Sequence, residues 1–166
     1  LFQGEEWAAS SPFLYFTDHQ ERELAEAVRS GRRREFAAFG WAPGDIPDPQ
    51  AEATFASARL DWDERAREPH AGLLQWHRDL IALRRRRPEL RDGRPGTVRT
   101  RFDEDDRWLV IHRGRVAVAC NLGAAAREIP LDGAGDRELL LASGAVESTT
   151  DAVRLEGHGV AILAHG

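Results

Sequence analysis

Residues 108–121 read WLVIHRGRVAVACN, two apolar runs separated by the three residues Arg113-Gly-Arg115. Each run is short and rich in residues that favour strands, and the polar connection with its glycine has the length of a tight turn. This spacing predicts a β-hairpin made of residues 108–112 and 116–122. The hairpin decides the fold class of the surrounding sequence, which is all-β.

Further short runs flank the hairpin at regular intervals, with Gly and Asp between them. We predict four more strands, at residues 97–102, 127–131, 138–141 and 159–164. Several short strands joined by tight turns are typical of a small antiparallel sandwich. The sequence therefore predicts a β-sandwich domain over residues 91–166.

A helix precedes the predicted sandwich. Over residues 69–87, Leu73, Trp76, His77, Leu80 and Ile81 recur at helical spacing, an arginine run follows, and Pro88 stops the helix. A stripe this broad predicts an outer helix packed on a larger body. Residues 1–90 contain no convincing strand to cover it, so we expect the isolated chain to leave the stripe exposed.

The remaining N-terminal residues predict loops and short helices. Residues 1–20 are aromatic and irregular, and a modest amphipathic helix runs from Gln20 to a stop at Gly31. A second short helix is predicted at residues 32–39. Residues 40–50 carry so many prolines and glycines that regular structure is not expected there.

Composition excludes several classes of function. The net charge of −5 gives no overall attraction to nucleic acid, and no apolar run approaches the length that spans a bilayer. Cys120 is the single cysteine and predicts a buried structural thiol, which fits a cytoplasmic protein. The 166 residues begin at Leu1 and include no methionine, which favours a piece of a longer polypeptide.

Three N-terminal stretches carry a resemblance to a known family. They are Gly4-Glu-Glu-Trp7, Pro12-Phe-Leu-Tyr-Phe-Thr-Asp-His19 and Gly31-Arg-Arg-Arg-Glu-Phe36. With the helix that ends before Pro88, they resemble the C-terminal end of glycoside hydrolase family 13, the α-amylase family, and above all its maltooligosyltrehalose trehalohydrolases. The Phe-Thr-Asp-His stretch is the most diagnostic, because other members of the family share something like Gly-Glu-Glu.

The resemblance implies an architecture and an activity. Residues 1–90 would be the C-terminal end of a catalytic (β/α)8 barrel, with residues 1–4 ending its eighth strand, and residues 91–166 would be the closing β-sandwich. The parent enzyme would hydrolyse the α-1,4-glucosidic bond next to the trehalose unit of maltooligosyltrehalose and release trehalose, without a cofactor or metal. This chain would thus have two partners, the maltooligosyltrehalose or related α-glucan substrate and the missing N-terminal part of the same polypeptide.

No catalytic residue is assigned within this chain. In the family, three carboxylates on earlier barrel strands perform the reaction, and none of the motifs that hold them occurs here. Glu5 and Glu6 cannot replace them, because neighbours on an extended segment point to opposite faces and cannot flank one glycosidic bond. We therefore expect the chain alone to be inactive.

Six residues are candidate substrate contacts: Glu5, Glu6, Trp7, Phe16, Asp18 and His19. Loops at the C-terminal face of a barrel bind its ligands, aromatic faces stack on sugar rings, and carboxylates and imidazoles hydrogen-bond to hydroxyls. Simpler interpretations stay open: Glu5 and Glu6 could anchor a loop, and Asp18 could cap the helix that begins near Gln20.

Two other interpretations of the whole chain also stay open. The parent could be a different α-glucan enzyme, such as a branching enzyme or an α-glucosidase. The chain could instead be a non-catalytic carbohydrate-binding or structural β-domain. The arginine runs at 32–34 and 84–87 favour solvated helix faces over a nucleic-acid site, since acidic residues lie beside them and the chain is acidic.

Overall fold

A computed structural model describes residues 1–94, 96–133 and 135–165. The chain divides into two compact units, Leu1–Leu74 and Gln75–Gly166, and the division falls within a helix. The predicted boundary after residue 90 concerns the domains of a longer parent and stays a prediction.

The C-terminal unit contains eight antiparallel strands among the described residues. They are β1 (Val98–Asp103), β2 (Trp108–Arg113), β3 (Val116–Asn121), β4 (Arg127–Pro130), β5 (Arg137–Ala142), β6 (Val146–Ser148), β7 (Ala152–Leu155) and β8 (Val160–His165). One sheet has the order β1-β2-β3-β8-β5 and the other the order β4-β7-β6. The predicted hairpin is confirmed, with Arg113 opposite Val116 and a left-handed Gly114 in the turn.

The core lies between the two sheets. Val110 and Leu163 project from the larger sheet, Ile129 and Val153 from the smaller one, and all four are fully buried. Burying an aliphatic side chain of this size contributes roughly 1.5–3 kcal/mol. The predicted β-sandwich is therefore confirmed as two packed sheets.

The six predicted strands are all present, and no end differs from its predicted position by more than one residue. The prediction missed β6 and β7. Strand β6 has three residues, which contain no alternating pattern to recognise, and β7 has four.

The predicted helix at 69–87 is confirmed as α3 (His70–Arg86). Its exposed apolar stripe is not confirmed at the C-terminal end of the helix. Leu83 is only 4% exposed and packs with Val116 and Ile162 of the larger sheet, and the partly buried Leu80 joins this cluster. The larger sheet covers this end of α3 because the outer face of that sheet also carries apolar residues. Ile81, by contrast, remains 41% exposed.

The predicted stop at Gly31 is wrong. A single helix, α1 (Arg22–Ala37), continues through Gly31, which an isolated glycine permits at a cost of about 1 kcal/mol. Arg32 stabilises the continuation, because its guanidinium lies 4.5 Å from the Phe36 ring centre and forms an ion pair with Glu35. The predicted second helix at 32–39 is thus the last half of the first.

The N-terminal unit consists of helices, turns and loops, with no strand among its described residues. It contains α1, α2 (Glu52–Ser57) and 3₁₀ turns at Glu5–Trp7, Pro43–Asp45 and Trp62–Ala66. Residues 1–4 form a turn here, so their role as the end of a barrel strand stays a prediction. A barrel strand requires neighbouring strands for its hydrogen bonds.

Two further observations concern the helices and the single cysteine. None of the helices in the described ranges combines the length and apolarity needed to cross a membrane. Cys120 on β3 is half-buried, and burial raises the pKa of its thiol, which disfavours the thiolate that a nucleophile needs.

Candidate functional site

The Glu5–Trp7 turn presents two carboxylates above a buried tryptophan. Gly4 enters the turn with φ +82, and a Cβ there would lie 2.6 Å from the Ala9 Cβ, so only glycine fits. The segment is a 3₁₀ turn and not extended, which corrects the premise used above to separate Glu5 from Glu6. The Glu5 carboxylate accepts a hydrogen bond from the Phe2 amide at 2.9 Å, a loop-anchoring contact.

Trp7 is a core residue of the N-terminal unit. It is 2% exposed, and its ring centre lies 5.4 Å from that of Trp62. The Trp7 carbonyl oxygen lies 2.8 Å from Nδ1 of His70, the first residue of α3. The structure therefore does not present the Trp7 ring to a ligand, and Trp7 is not among the residues that line the cleft described below.

Residues 16–19 form an irregular segment that is fixed against residues 49–50. The Thr17 amide donates to the Pro49 carbonyl at 2.8 Å, and the Thr17 hydroxyl lies 2.5 Å from Oε1 of Gln50. The His19 amide donates to the same Oε1, and Gln50 Nε2 donates back to the His19 carbonyl, both at 3.1 Å. These bonds hold the segment in one conformation.

A cleft of about 560 Å³ lies along this segment. The candidates Phe16 and Asp18 line it, and α2 supplies the facing wall with Glu52 and Phe55. Thr17, Gln50 and Ala51 complete the lining. The structure thus brings Phe16 and Asp18 together, places His19 beside them in the chain, and adds α2 residues that no sequence pattern had marked.

The cleft combines apolar rings with hydrogen-bonding groups. Phe16 and Phe55 are 43% and 47% exposed, and their rings meet edge to face. The Asp18 and Glu52 side chains are exposed, and Asp18 accepts a hydrogen bond from Gln20 Nε2 at 2.9 Å. Aromatic faces next to carboxylates and an amide suit a ligand that has C–H surfaces and hydroxyl groups.

The helix-capping alternative for Asp18 is wrong. Helix α1 begins at Arg22 with Glu21 at the N-cap position, and no side-chain cap bond forms. The helix starts later than predicted, which leaves Asp18 outside capping distance in sequence. The cleft is where the structure places this carboxylate.

Gln50, Glu52 and Phe55 carry no sequence signal that marks them as site residues. Helix α2 has six residues, less than two turns, so it offers no periodicity to recognise. The only signal is the dense Pro47-Asp48-Pro49 stretch just before Gln50, which marks an ordered turn and not a ligand site.

The arginine runs take part in local contacts or are exposed, and they do not form a ligand site. Within the described residues, no group of three or more His, Cys, Asp or Glu side chains is arranged to hold a metal ion. The Arg32 guanidinium lies over Tyr15 as well as Phe36, and Arg87 forms an ion pair with Glu138 at 2.8 Å. Arg84–Arg86 are exposed at the end of α3, as a solvated helix end predicts.

Sequence comparisons relate the chain to named proteins over almost its entire length. It is 44% identical to a malto-oligosyltrehalose trehalohydrolase from Mycobacterium tuberculosis over 98% of the chain, which is 27% of that protein. It is 45% identical to a protein of the same name from Rhizobium sp. over 95% of the chain and 25% of that protein. The chain thus spans about a quarter of the length of the relatives it matches.

Two further comparisons concern the fold. A family model described as a domain of unknown function, DUF3459, matches residues 93–162. A crystal structure from Salmonella typhimurium, described as a candidate alpha amylase, superposes with a TM-score of 0.77 at 32% identity. That match covers 98% of this chain and 27% of the other. The match extends over residues of both compact units.

Proposed function

We propose that this chain, a homologue of the malto-oligosyltrehalose trehalohydrolases, is the C-terminal part of a glycosidase of the α-amylase family. The parent hydrolyses the α-1,4-glucosidic bond adjacent to the trehalose unit of maltooligosyltrehalose and releases trehalose. The identity of 42–45% to several proteins of that name, over most of this chain, supports the proposal. In this proposal the catalytic carboxylates lie in the part of the longer polypeptide that this chain does not span.

Residues 1–90 complete the catalytic barrel in this proposal, and residues 91–166 form the closing β-sandwich. The composition of the N-terminal unit supports this division, since it has helices and turns but no strand among its described residues. The unit also exposes large apolar side chains, including Phe13, Phe39 and Trp41, which suits a surface that other parts of a longer chain cover.

The observation that carries the proposal is the Phe16–Asp18 cleft. Two exposed rings, two exposed carboxylates and one amide meet there, which matches the alternating C–H and hydroxyl surfaces of a glucan. Phe16 and Phe55 stack on the pyranose ring, and Asp18 and Glu52 accept hydrogen bonds from its hydroxyls. His19 supplies a further polar group at the rim.

Glu5, Glu6 and Trp7 have roles other than stacking on the sugar ring. Trp7 is buried beneath the turn, so it supports the backbone of Glu5 and Glu6 instead of stacking on sugar. We propose that the less exposed Glu6 bonds to substrate or to a neighbouring active-site group, while Glu5 anchors the turn through the Phe2 amide. The enzyme works in the cytoplasm without a cofactor.

Product analysis tests the proposal. The longest natural polypeptide that contains this chain is incubated separately with maltooligosyltrehalose, glycogen and maltose, and the products are separated by chromatography. The proposal predicts free trehalose from the first substrate at the highest kcat/KM. Branched glucan without trehalose would assign the chain to a branching enzyme, and preferential release of glucose from maltose would assign it to an α-glucosidase.

A further inference from the structure

We infer that Gln50 is the positioning residue of the Phe16–Asp18 cleft, holding these two side chains in the orientation that a bound glucan requires. The inference rests on the proposed function of the cleft. It adds to the site a residue whose main action is on the protein backbone, and it names the network through which that residue acts.

The Gln50 side-chain amide binds two residues of the 16–19 segment, Thr17 and His19. Oε1 accepts from the Thr17 hydroxyl and from the His19 amide, and Nε2 donates to the His19 carbonyl. One primary amide thereby uses both its acceptor and its donor on two residues of an otherwise irregular segment. An irregular segment lacks the regular backbone hydrogen bonds of a helix or a strand. These bonds and the Thr17–Pro49 backbone bond therefore define its conformation.

The bonds hold the backbone on both sides of Asp18 and next to Phe16. Thr17 and His19, the residues that Gln50 binds, are half-buried, whereas Phe16 and Asp18 are exposed and line the cleft. Because Thr17 lies between Phe16 and Asp18 in the chain and His19 follows Asp18, fixing Thr17 and His19 limits where the Phe16 and Asp18 side chains can lie.

Gln50 is itself held by a second layer of contacts. The backbone N–H of Gln50 donates to Oδ1 of Asp48 at 3.0 Å. The other carboxylate oxygen of Asp48 accepts from Nε of Arg29 at 2.8 Å. The buried Thr54 of α2 donates its hydroxyl to the Asp48 carbonyl at 2.6 Å. This network fixes the wall of the cleft to both α1 and α2, so Gln50 has little freedom to reorient.

The test measures KM and kcat for maltooligosyltrehalose in the longest natural polypeptide that contains this chain. Gln50→Ala removes all three side-chain bonds, and we expect a rise in KM of about five- to tenfold with kcat changed less than about twofold. Gln50→Glu keeps the two accepting bonds and should recover part of the affinity. Gln75→Ala, an exposed glutamine on α3 that bonds to Asp79, is the matched control and should change neither parameter.

Two further variants separate positioning from direct contact. Thr17→Val removes one bond to Gln50 without altering Gln50, and it should raise KM about two- to fourfold. In a Phe16→Ala background, Gln50→Ala should have a smaller effect than in the wild type, because the side chain it positions is gone. Hydrogen exchange should show faster exchange of the His19 amide in Gln50→Ala and unchanged exchange in α3.

The outcomes distinguish this inference from the proposed function. If Phe16→Ala leaves KM unchanged, the cleft does not bind the substrate and the proposed site fails. If Phe16→Ala raises KM but Gln50→Ala and Thr17→Val do not, the site stands and the positioning role of Gln50 is overturned. Fully additive effects of Phe16→Ala and Gln50→Ala would also contradict positioning, because independent contacts add.

Discussion

Phe16 and Phe55 meet edge to face, with ring centres 5.1 Å apart and planes inclined at 68°. One ring comes from an irregular segment and the other from α2, and both remain about half exposed. An aromatic pair of this geometry is attractive, yet close to half of the surface of each residue is left for another molecule. The pair therefore forms a ready-made apolar wall for the cleft.

Substitution of the α2 ring should reduce affinity and leave stability almost unchanged. Phe55→Ala removes half of the wall, and we expect the KM for maltooligosyltrehalose to rise about three- to tenfold. The free energy of unfolding should change by less than about 1 kcal/mol, because the ring is half exposed. Phe102→Ala, at an exposed site on β1, is the control. Equal effects of the two variants on KM would contradict a binding role for Phe55.

Leu83 should anchor the end of α3 on the larger sheet. Leu83→Ala leaves a cavity against Val116 and Ile162, and we expect the free energy of unfolding to fall by about 3 kcal/mol. Ile81→Ala on the same helix is the matched control and should cost less than about 1 kcal/mol, since Ile81 faces solvent. Urea titration followed by circular dichroism measures both. Similar losses in the two variants would show that α3 does not pack as described.

Asn121 should be the most sensitive polar position of the sandwich. It is 1% exposed, and its Nδ2 donates to the carbonyls of Ala125, Leu155 and Glu156 at 2.8–3.2 Å. Asn121→Ala leaves these buried acceptors without their donor, so we expect a loss of about 3 kcal/mol in the free energy of unfolding. Chemical denaturation tests this, with Glu128→Ala on β4 as the exposed control. A loss below about 1 kcal/mol would mean that water replaces the amide.

Acid should weaken the contact between Ser10 and Glu64. The Ser10 hydroxyl and amide donate to the buried Glu64 carboxylate and lower its pKa from the ordinary value of 4.5. Because the folded pKa is the lower one, this carboxylate stabilises the fold above about pH 4.5 and loses that contribution as the pH falls.

The variants Glu64→Gln and Ser10→Ala test that dependence. Below about pH 4.5, the free energy of unfolding should fall less steeply with decreasing pH in either variant than in the wild type. Glu128→Gln provides the comparison at an exposed position. An identical slope in Glu64→Gln and the wild type would show that this carboxylate is not linked to folding.

The β-sandwich could be predicted because its strands carry their own signal. In residues 108–121 the two apolar runs and the glycine between them predict two paired strands, and the structure shortens the connection to Gly114 and Arg115, with Arg113 opposite Val116. Strand β6 could not be found this way, because three residues contain no period. The packing of Leu83 on the sheet could not be predicted either. An apolar stripe on a helix indicates that the stripe packs against something, but it does not identify the packing partner.

The cleft could be predicted only in part, because only some of its residues carry a local sequence signal. Phe16 and Asp18 stood out as an aromatic and a carboxylate in a stretch of known resemblance. Gln50 and Phe55 lie far along the chain and reach the same cleft through tertiary contacts that no local pattern encodes. Trp7 shows the opposite error, because a large ring in a candidate loop looked like a ligand contact until its burial was known.

The central claim is that the Phe16–Asp18 cleft binds the glucan substrate of a trehalose-releasing glycosidase. The most direct measurement is the KM for maltooligosyltrehalose of the double variant Phe16→Ala/Asp18→Asn in the longest natural polypeptide that contains this chain. The variant Phe102→Ala, which alters an exposed ring on β1 outside this cleft, is the control. We predict a rise in KM of at least about tenfold for the double variant, with the control unchanged. An unchanged KM in a folded double variant would contradict the claim.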